Sequence, residues 1–353
     1  MKQTWTKHIL VYRLSALGDV AMTIPAVYSV ARAWPDCCFH VVTSTFCTQL
    51  YINAPCNVVV HGIEKHTGTW RLIGLLRAIP VDMVADLHNV LRSWIVDAYF
   101  RLRGKRVRMV DKMRSERKAI LSHRQASTRR PFTLRYFDVF QRLGLPAEPD
   151  FTSLSGLPPV PPLSLTGQPA ASSLPPTGQP PVTVALDKGT ERWIGIAPFA
   201  RYQTKVYPME QMREVVRLLS LSSTTRVFLF GSRGSEADEL KQWEQLSPRV
   251  HTVAGQFTLP EELALMARLD TMVTMDSANM HLASLVGTRV VSVWGSTTPA
   301  CGFLGYGQTA DDALYASLPC QPCSTAGSTK CRLGTLECLK QLQPETIVQR
   351  LAL

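Results

Sequence analysis

No apolar run in these 353 residues approaches the roughly 18–20 needed to cross a bilayer. Lys2 and Lys7 precede an apolar stretch too short for a secretory signal, so the cytoplasm is the expected compartment. Acidic residues are also scarce: 27 Asp and Glu face 38 Lys and Arg, a net charge of +11. The aromatic–basic interleaving of RNA-binding modules is missing, which argues against a nucleic-acid partner. So are a complete Gly-x-Gly-x-x-Gly and a Walker lysine, which argues against the commonest dinucleotide and P-loop sites.

What is present is unevenly placed. Between Arg92 and Arg130 stand 13 Lys and Arg against 3 acids, so nearly all the excess positive charge lies in one segment. Such a patch attracts phosphates or an acidic membrane surface, against the plain alternative of a solvated basic face. Of nine cysteines, Cys37, Cys38, Cys47 and Cys56 are expected to be buried free thiols. The tail places Cys320, Cys323, Cys331 and Cys338 as C-x2-C-x7-C-x6-C. Four thiols with one tight pair permit a structural zinc site; the lack of a second tight pair favours free thiols or redox pairing.

The first half alternates strand and helix signals: strands at 9–14, 39–43 and 83–87, and a helix over 20–33. Residues 158–181 hold nine prolines and repeat Thr-Gly-Gln-Pro, which cannot build a core and reads as a linker or surface insertion. A second alternating series follows, with strands at 193–200, 226–232, 271–277 and 289–295. Helices are expected from Pro208 to Leu219, from about Glu236, over 259–270, and over 278–287. The expected organisation is residues 1–157 as one α/β domain, 158–190 as linker, and 191–353 as a second domain with a cysteine-rich tail. Two doubly wound sheets bind ligands beyond the carboxyl ends of their strands, where Asp19, Asp86, Lys205, Gly231 and Asp276 fall.

Asp19 in "SALGD" is either a helix cap or a base. In "MDSANMHLAS", Asp276 ends a strand, Ser277 and Ala278 open a helix suited to an anion, and His281 lies one turn in. Capping and packing would account for the same residues. Lys205, before Pro208, is a phosphate clamp or a solvated loop lysine. Glu236 or Glu239 in "FGSRGSEADE" could hold ribose hydroxyls.

The segments "RLSALGDVAMTIPAV", "DLHNVLRS", "IGIAPFARYQTKVYPMEQM", "MDSANMHLASLVGTRVVSVWGSTTP" and "GYGQ" keep one order and cover most of the chain outside the proline-rich stretch. Together they resemble the heptosyltransferases, glycosyltransferase family nine. The resemblance implies a GT-B fold, two Rossmann-like doubly wound domains facing a central cleft. It implies inverting transfer of a heptose from an ADP-sugar donor to the lipopolysaccharide inner core or a lipid A-type acceptor, with no cofactor. Asp19 then takes the acceptor proton and Lys205 neutralises the diphosphate. Glu236, Asp276, Ser277, Ala278 and His281 hold the donor, and Gly18, His88, Asn89, Arg92, Arg114 and Arg117 serve the acceptor. No Asp-x-Asp pair stands beside these donor segments, so no catalytic metal is expected, and the basic segment suits peripheral association with the inner membrane. A different sugar donor on the same fold, or nucleotide binding without turnover, are the competing readings.

Overall fold

The computed structural model describes residues 5–64, 66–122, 129–164, 183–184 and 186–352. It contains two compact units, Met1–Glu116 with Arg129–Ser153, and Arg117–Thr128 with Leu154–Leu353.

The first unit begins with β1 (Lys7–Tyr12), whose residues Ile9–Tyr12 are all buried, as a central parallel strand requires. The predicted single helix over 20–33 is instead two, α1 (Leu17–Ala21) and α2 (Ile24–Ala33). Pro25 explains the break: it lacks an N–H and its ring excludes the preceding turn, so it is tolerated only at a helix start. The Thr23 hydroxyl donates to the Val20 carbonyl at 2.7 Å and closes the first piece. There follow β2 (Cys37–Ser44), β3 (Val58–Ile63), α3 (Thr69–Leu76), β4 (Met83–Asp86), α4 (Leu91–Leu102) and β5 (Arg106–Met109). Then come α5 (Arg114–Leu121), whose residues from Arg117 on are counted with the other unit, and α6 (Phe132–Leu143). The five strands are parallel in the order β3-β2-β1-β4-β5. Leu10, Tyr12, Val42 and Val84 pack on one face against Leu72, Leu76, Val96 and Phe100 of α3 and α4.

His8, His40 and His61 lie on neighbouring strands of this sheet and form a ladder. His8 Nδ1 is 3.0 Å from His40 Nε2, and His40 Nδ1 is 3.1 Å from His61 Nε2. Burial, and then the charges of His61 and His8, push His40 down to about 4. An unfolded histidine titrates near 6.5. Between these values the unfolded chain binds a proton that the folded chain refuses, so this contribution is intact above pH 6.5 and is lost as the pH falls toward 4. His61 and His88 are lowered mainly by burial and act with the same sign. The unfolding midpoint is therefore expected to fall across that window, and His40→Gln to flatten the slope by roughly one proton's share. An unchanged slope in the variant would place the acid sensitivity elsewhere.

Between the two series, β6 (Leu163–Ser164) and β7 (Thr183–Val184) pair antiparallel. Leu163 and Leu186, inside the predicted linker, are buried, and most of the proline-rich stretch, 165–182, lies outside the described residues.

The second unit contains β8 (Arg192–Ala197), α7 (Met209–Ser220), β9 (Thr225–Leu229), α8 (Ser235–Trp243), β10 (Val250–Thr252) and α9 (Leu259–Met266). It continues through β11 (Thr271–Met275), α10 (Ala278–Leu285), β12 (Arg289–Val293), β13 (Ala313–Leu314), α11 (Glu337–Lys340) and α12 (Pro344–Ala352). Its order is β10-β9-β8-β11-β12-β13, all parallel. Both sheets reverse direction of growth beside their first strand, between β1 and β4 and between β8 and β11. In open parallel sheets that switch point is where ligands sit.

Candidate functional site

In the first unit, the chain leaving β1 carries Arg13 and then Asp19. Asp19 is not the N-cap. Ala16 is, and Asp19 lies three residues on, in the first turn of α1. Its Oδ2 accepts from the Ala16 N–H at 3.3 Å and pairs with Arg13 Nη2 at 2.7 Å. The carboxylate side chain is 32 % exposed, whereas that of Arg13 is 8 % exposed. Arg13 is fixed in turn by donating to the carbonyls of Ser15 (2.9 Å) and Leu87 (2.7 Å). Gly18 is buried in α1, where its carbonyl accepts from the Met22 N–H at 3.0 Å.

Across the switch point, Asp86 ends β4 fully buried. Its Oδ1 accepts from the N–H groups of His88 (2.8 Å) and Asn89 (2.9 Å), and its Oδ2 from the Ser93 hydroxyl (2.6 Å). Asp86 therefore builds the turn that presents His88. Burial, with the positive charge of Arg13, pushes His88 down to about 3, so the imidazole is neutral. Among the described residues the buried His88 Nδ1 has no hydrogen-bond partner. Asn89 adopts φ 51° and uses its amide on the Val110 carbonyl and the Trp94 indole. Arg92 donates to the Thr67 carbonyl. Lys112, after β5, is held below the usual lysine range by burial and by Arg13. Arg114 and Arg117 are exposed on α5. Asp19, His88 and Lys112 thus share the carboxyl end of one sheet, with Arg13 beneath Asp19.

In the second unit, Lys205 follows β8 and Asp276 follows β11, on the two sides of the switch point. Lys205 Nζ lies 2.7 Å from Asp276 Oδ2, with side chains 10 % and 4 % exposed. The Thr297 hydroxyl donates to the same oxygen at 2.6 Å. Ser277 is the N-cap of α10, yet its side chain caps nothing; it lies 3.2 Å from the Thr274 hydroxyl. Ala278 is half-buried beside it, and His281, one turn further, is buried. The positive end of α10 therefore opens beside a buried lysine, a setting that favours an anion.

Three loops are laced under Lys205. Thr204 Oγ1 is 2.8 Å from Ser296 Oγ and donates to the Ser328 carbonyl at 2.8 Å, and the Ser296 N–H donates to the Thr204 carbonyl at 2.9 Å. A Cβ at position 295 would stand 2.3 Å from that carbonyl, so only glycine fits there. Arg13, Lys112, Thr204 and Thr297 were not singled out from the sequence. Arg13 had a local signal, as a base directly after a central strand and six residues before Asp19, and Lys112 stands within the basic segment.

Glu236 lies in the first turn of α8 and accepts from the Ser232 N–H at 2.7 Å. Glu239 is occupied by the Trp243 indole (3.3 Å). In "GYGQ", Gln308 accepts from the Val290 N–H and donates to the Thr288 carbonyl, pinning the start of β12. Cys37, Cys38 and Cys47 are buried as expected, but Cys56 is exposed. The tail thiols Cys320, Cys323, Cys331 and Cys338 do come together. They line one cavity of about 340 Å³ with Thr204 and Ser296. Burial and then the three other thiols push Cys338 up to about 11. Among the described residues the group whose ligand atoms all fall within 4.8 Å of one another is a different one, His8, Cys38 and His40, at the amino-terminal ends of β1 and β2.

A model of glycosyltransferase family 9 (heptosyltransferase) matches residues 69–332. Lipopolysaccharide heptosyltransferase 3 of Escherichia coli is 25% identical over 305 residues, covering 79% of this chain and 81% of that protein. The structure of E. coli heptosyltransferase WaaC with ADP superposes with a TM-score of 0.63 at 17% identity, over 97% of this chain and 98% of that one. A family 9 glycosyl transferase from Veillonella parvula superposes with a TM-score of 0.71 at 17% identity, over 98% and 96%. At these identities the superpositions establish the fold, which is that of the GT-B heptosyltransferases.

Proposed function

The chain belongs to glycosyltransferase family 9, and from that premise we propose that it moves a heptose or related sugar from an ADP-sugar to a lipopolysaccharide inner-core or lipid A-type acceptor, with inversion and without a metal. The observation that carries this reading is the buried Lys205–Asp276 pair at the second switch point, beside the uncapped start of α10. It offers a fixed cation and free helix N–H groups to a diphosphate.

In the proposed reaction, the acceptor oxygen forms a bond to the anomeric carbon as the bond to the diphosphate oxygen breaks on the opposite face. Asp19 takes the acceptor proton, and ADP leaves with its electron pair. An ionised aspartate is a weak base, so the rate draws on positioning and on stabilising the leaving group. Arg13 serves the first need by locking the Asp19 carboxylate in place. Lys205 and the α10 dipole serve the second. Asp276, aligned by Thr297, holds Lys205 in position; Ser277, Ala278 and His281 hold the sugar and phosphates, and Glu236 the ribose. Gly18, His88, Asn89, Arg92, Arg114 and Arg117 are assigned to the acceptor, Asn89 through the turn it shapes. The enzyme would work in the cytoplasm, at the inner membrane where such acceptors lie.

The deciding experiment incubates purified protein with ADP-heptose and heptose-deficient lipopolysaccharide and follows ADP release and acceptor mass. Transfer is expected, and it is expected to survive EDTA. Loss on chelation that magnesium or manganese restores would overturn the metal-free assignment. ADP binding with no turnover of any nucleotide sugar would overturn the enzyme reading itself.

A further inference from the structure

Helix α4 is apolar on both sides. Its inner side, Val96 and Phe100, belongs to the core shared with Leu72 and Leu76 of α3. Its outer side carries Leu91, Trp94, Ile95 and Leu102, spaced i, i+3, i+4 and i+11, so they form one stripe along the helix. These are 72%, 42%, 38% and 89% exposed. The neighbouring α3 adds Trp70 (80%) and Leu75 (48%). Six of the eleven large apolar side chains exposed among the described residues therefore sit on two packed helices. Exposed apolar residues scattered singly need no explanation, but a clustered stripe of this kind marks a contact surface.

The charges around the stripe select its partner. Arg71 on α3 and Arg77 just after it, and Arg101 on α4 and Arg103 just after it, are all exposed. Helix α3 contains no acid, and the one acid of α4, Asp97, is buried beneath Arg101 at 3.8 Å. The surface thus presents indoles and aliphatic side chains bordered by guanidinium groups, with no exposed carboxylate on either helix. We propose that this α3–α4 face docks the enzyme on an anionic lipid bilayer. Leu91, Leu102 and Trp70 would enter the boundary between headgroups and acyl chains, and the arginines would reach lipid phosphates. Among the described residues no helix is long and apolar enough to cross a membrane, so the contact is one of lying on the surface. The placement deepens the lipopolysaccharide reading, since a lipid-borne acceptor is met at such a surface, but its test does not require transfer.

Sedimentation with vesicles of phosphatidylcholine alone, and of phosphatidylcholine with phosphatidylglycerol, tests it at low and high salt. The protein is expected to sediment with the anionic vesicles, weakly or not at all with the neutral ones, and less at high salt. The triple variant Trp70→Ser/Leu91→Ser/Leu102→Ser removes only exposed side chains. It is expected to reduce binding at least about tenfold, with melting and ADP affinity unchanged. Arg71→Gln/Arg77→Gln is expected to cost roughly 30-fold on the anionic vesicles alone, at about fivefold per charge. A wild-type protein that stays in the supernatant, or a triple variant that sediments as well as wild type, overturns the proposal. So does a wild-type dimer that the triple variant converts to monomer without any lipid binding, which would make the face a contact between copies. A protein that binds anionic vesicles but transfers no sugar retains this surface and loses the functional reading instead.

Discussion

Asp19→Asn is expected to lower turnover on the order of 10²–10⁴-fold while ADP-sugar affinity stays near wild type. The size follows from the role: the side chain is the proposed acceptor of the proton that leaves the attacking hydroxyl, and an amide cannot take it. The selectivity follows from the surroundings. The carboxylate is one-third exposed, yet it is held by the Arg13 guanidinium and the Ala16 N–H. Asparagine keeps an oxygen for either partner, and Arg13 retains the Ser15 and Leu87 carbonyls. The turn should therefore persist and the melting temperature change little. Steady-state transfer and calorimetric ADP binding read the two effects separately. Turnover near wild type would reduce Asp19 to a residue that ties the α1 turn to Arg13, and the mechanism would fail.

Much of the fold was legible because parallel sheets impose buried runs of fixed length, each followed by an amphipathic stretch. β1, β4, β8, β11 and β12 were found that way. β3 was not, although "VVVHGI" carries the signal, because its edge position leaves it only half-buried. The break between α1 and α2 was legible in Pro25 and was overridden by the periodic apolar pattern around it. In the proposed site, Asp276 was readable as the residue directly after β11, and Asp19 and Lys205 as charged residues of the loops that follow β1 and β8. Their supports were not. Thr297 reaches Asp276 across 21 residues, and Thr204 meets Ser328 across 124. Such pairings exist only once the strand order brings the loops together. Position alone also misleads: Asp86 ends β4 much as Asp276 follows β11, but it is fully buried and accepts from His88, Asn89 and Ser93, which ties it to the turn after β4 and the first turn of α4.

Lys205→Ala is expected to lower turnover on the order of 10²–10³-fold, and to do so more than it weakens binding of the ADP-sugar. Charge builds on the departing diphosphate late in the reaction, so a cation placed for it acts mainly on the rate. The structure adds a complication that the sequence could not show. Lys205 and Asp276 are both nearly buried and 2.7 Å apart, so removing the lysine strands a carboxylate. Breaking a buried pair in this way costs about 3–5 kcal/mol of stability, enough to mimic a catalytic loss through unfolding. Two further variants separate the effects. Lys205→Met/Asp276→Asn removes both charges while keeping the side-chain bulk; it is expected to melt near wild type and to remain slow. Lys205→Arg keeps the charge but cannot place a planar fork where a point charge sits, so it should restore part of the rate. Melting curves, kinetics with each substrate varied and ADP calorimetry on all three variants decide the matter. If turnover returns with stability in the double variant, Lys205 is only the structural partner of Asp276, and the leaving group must be met by other residues.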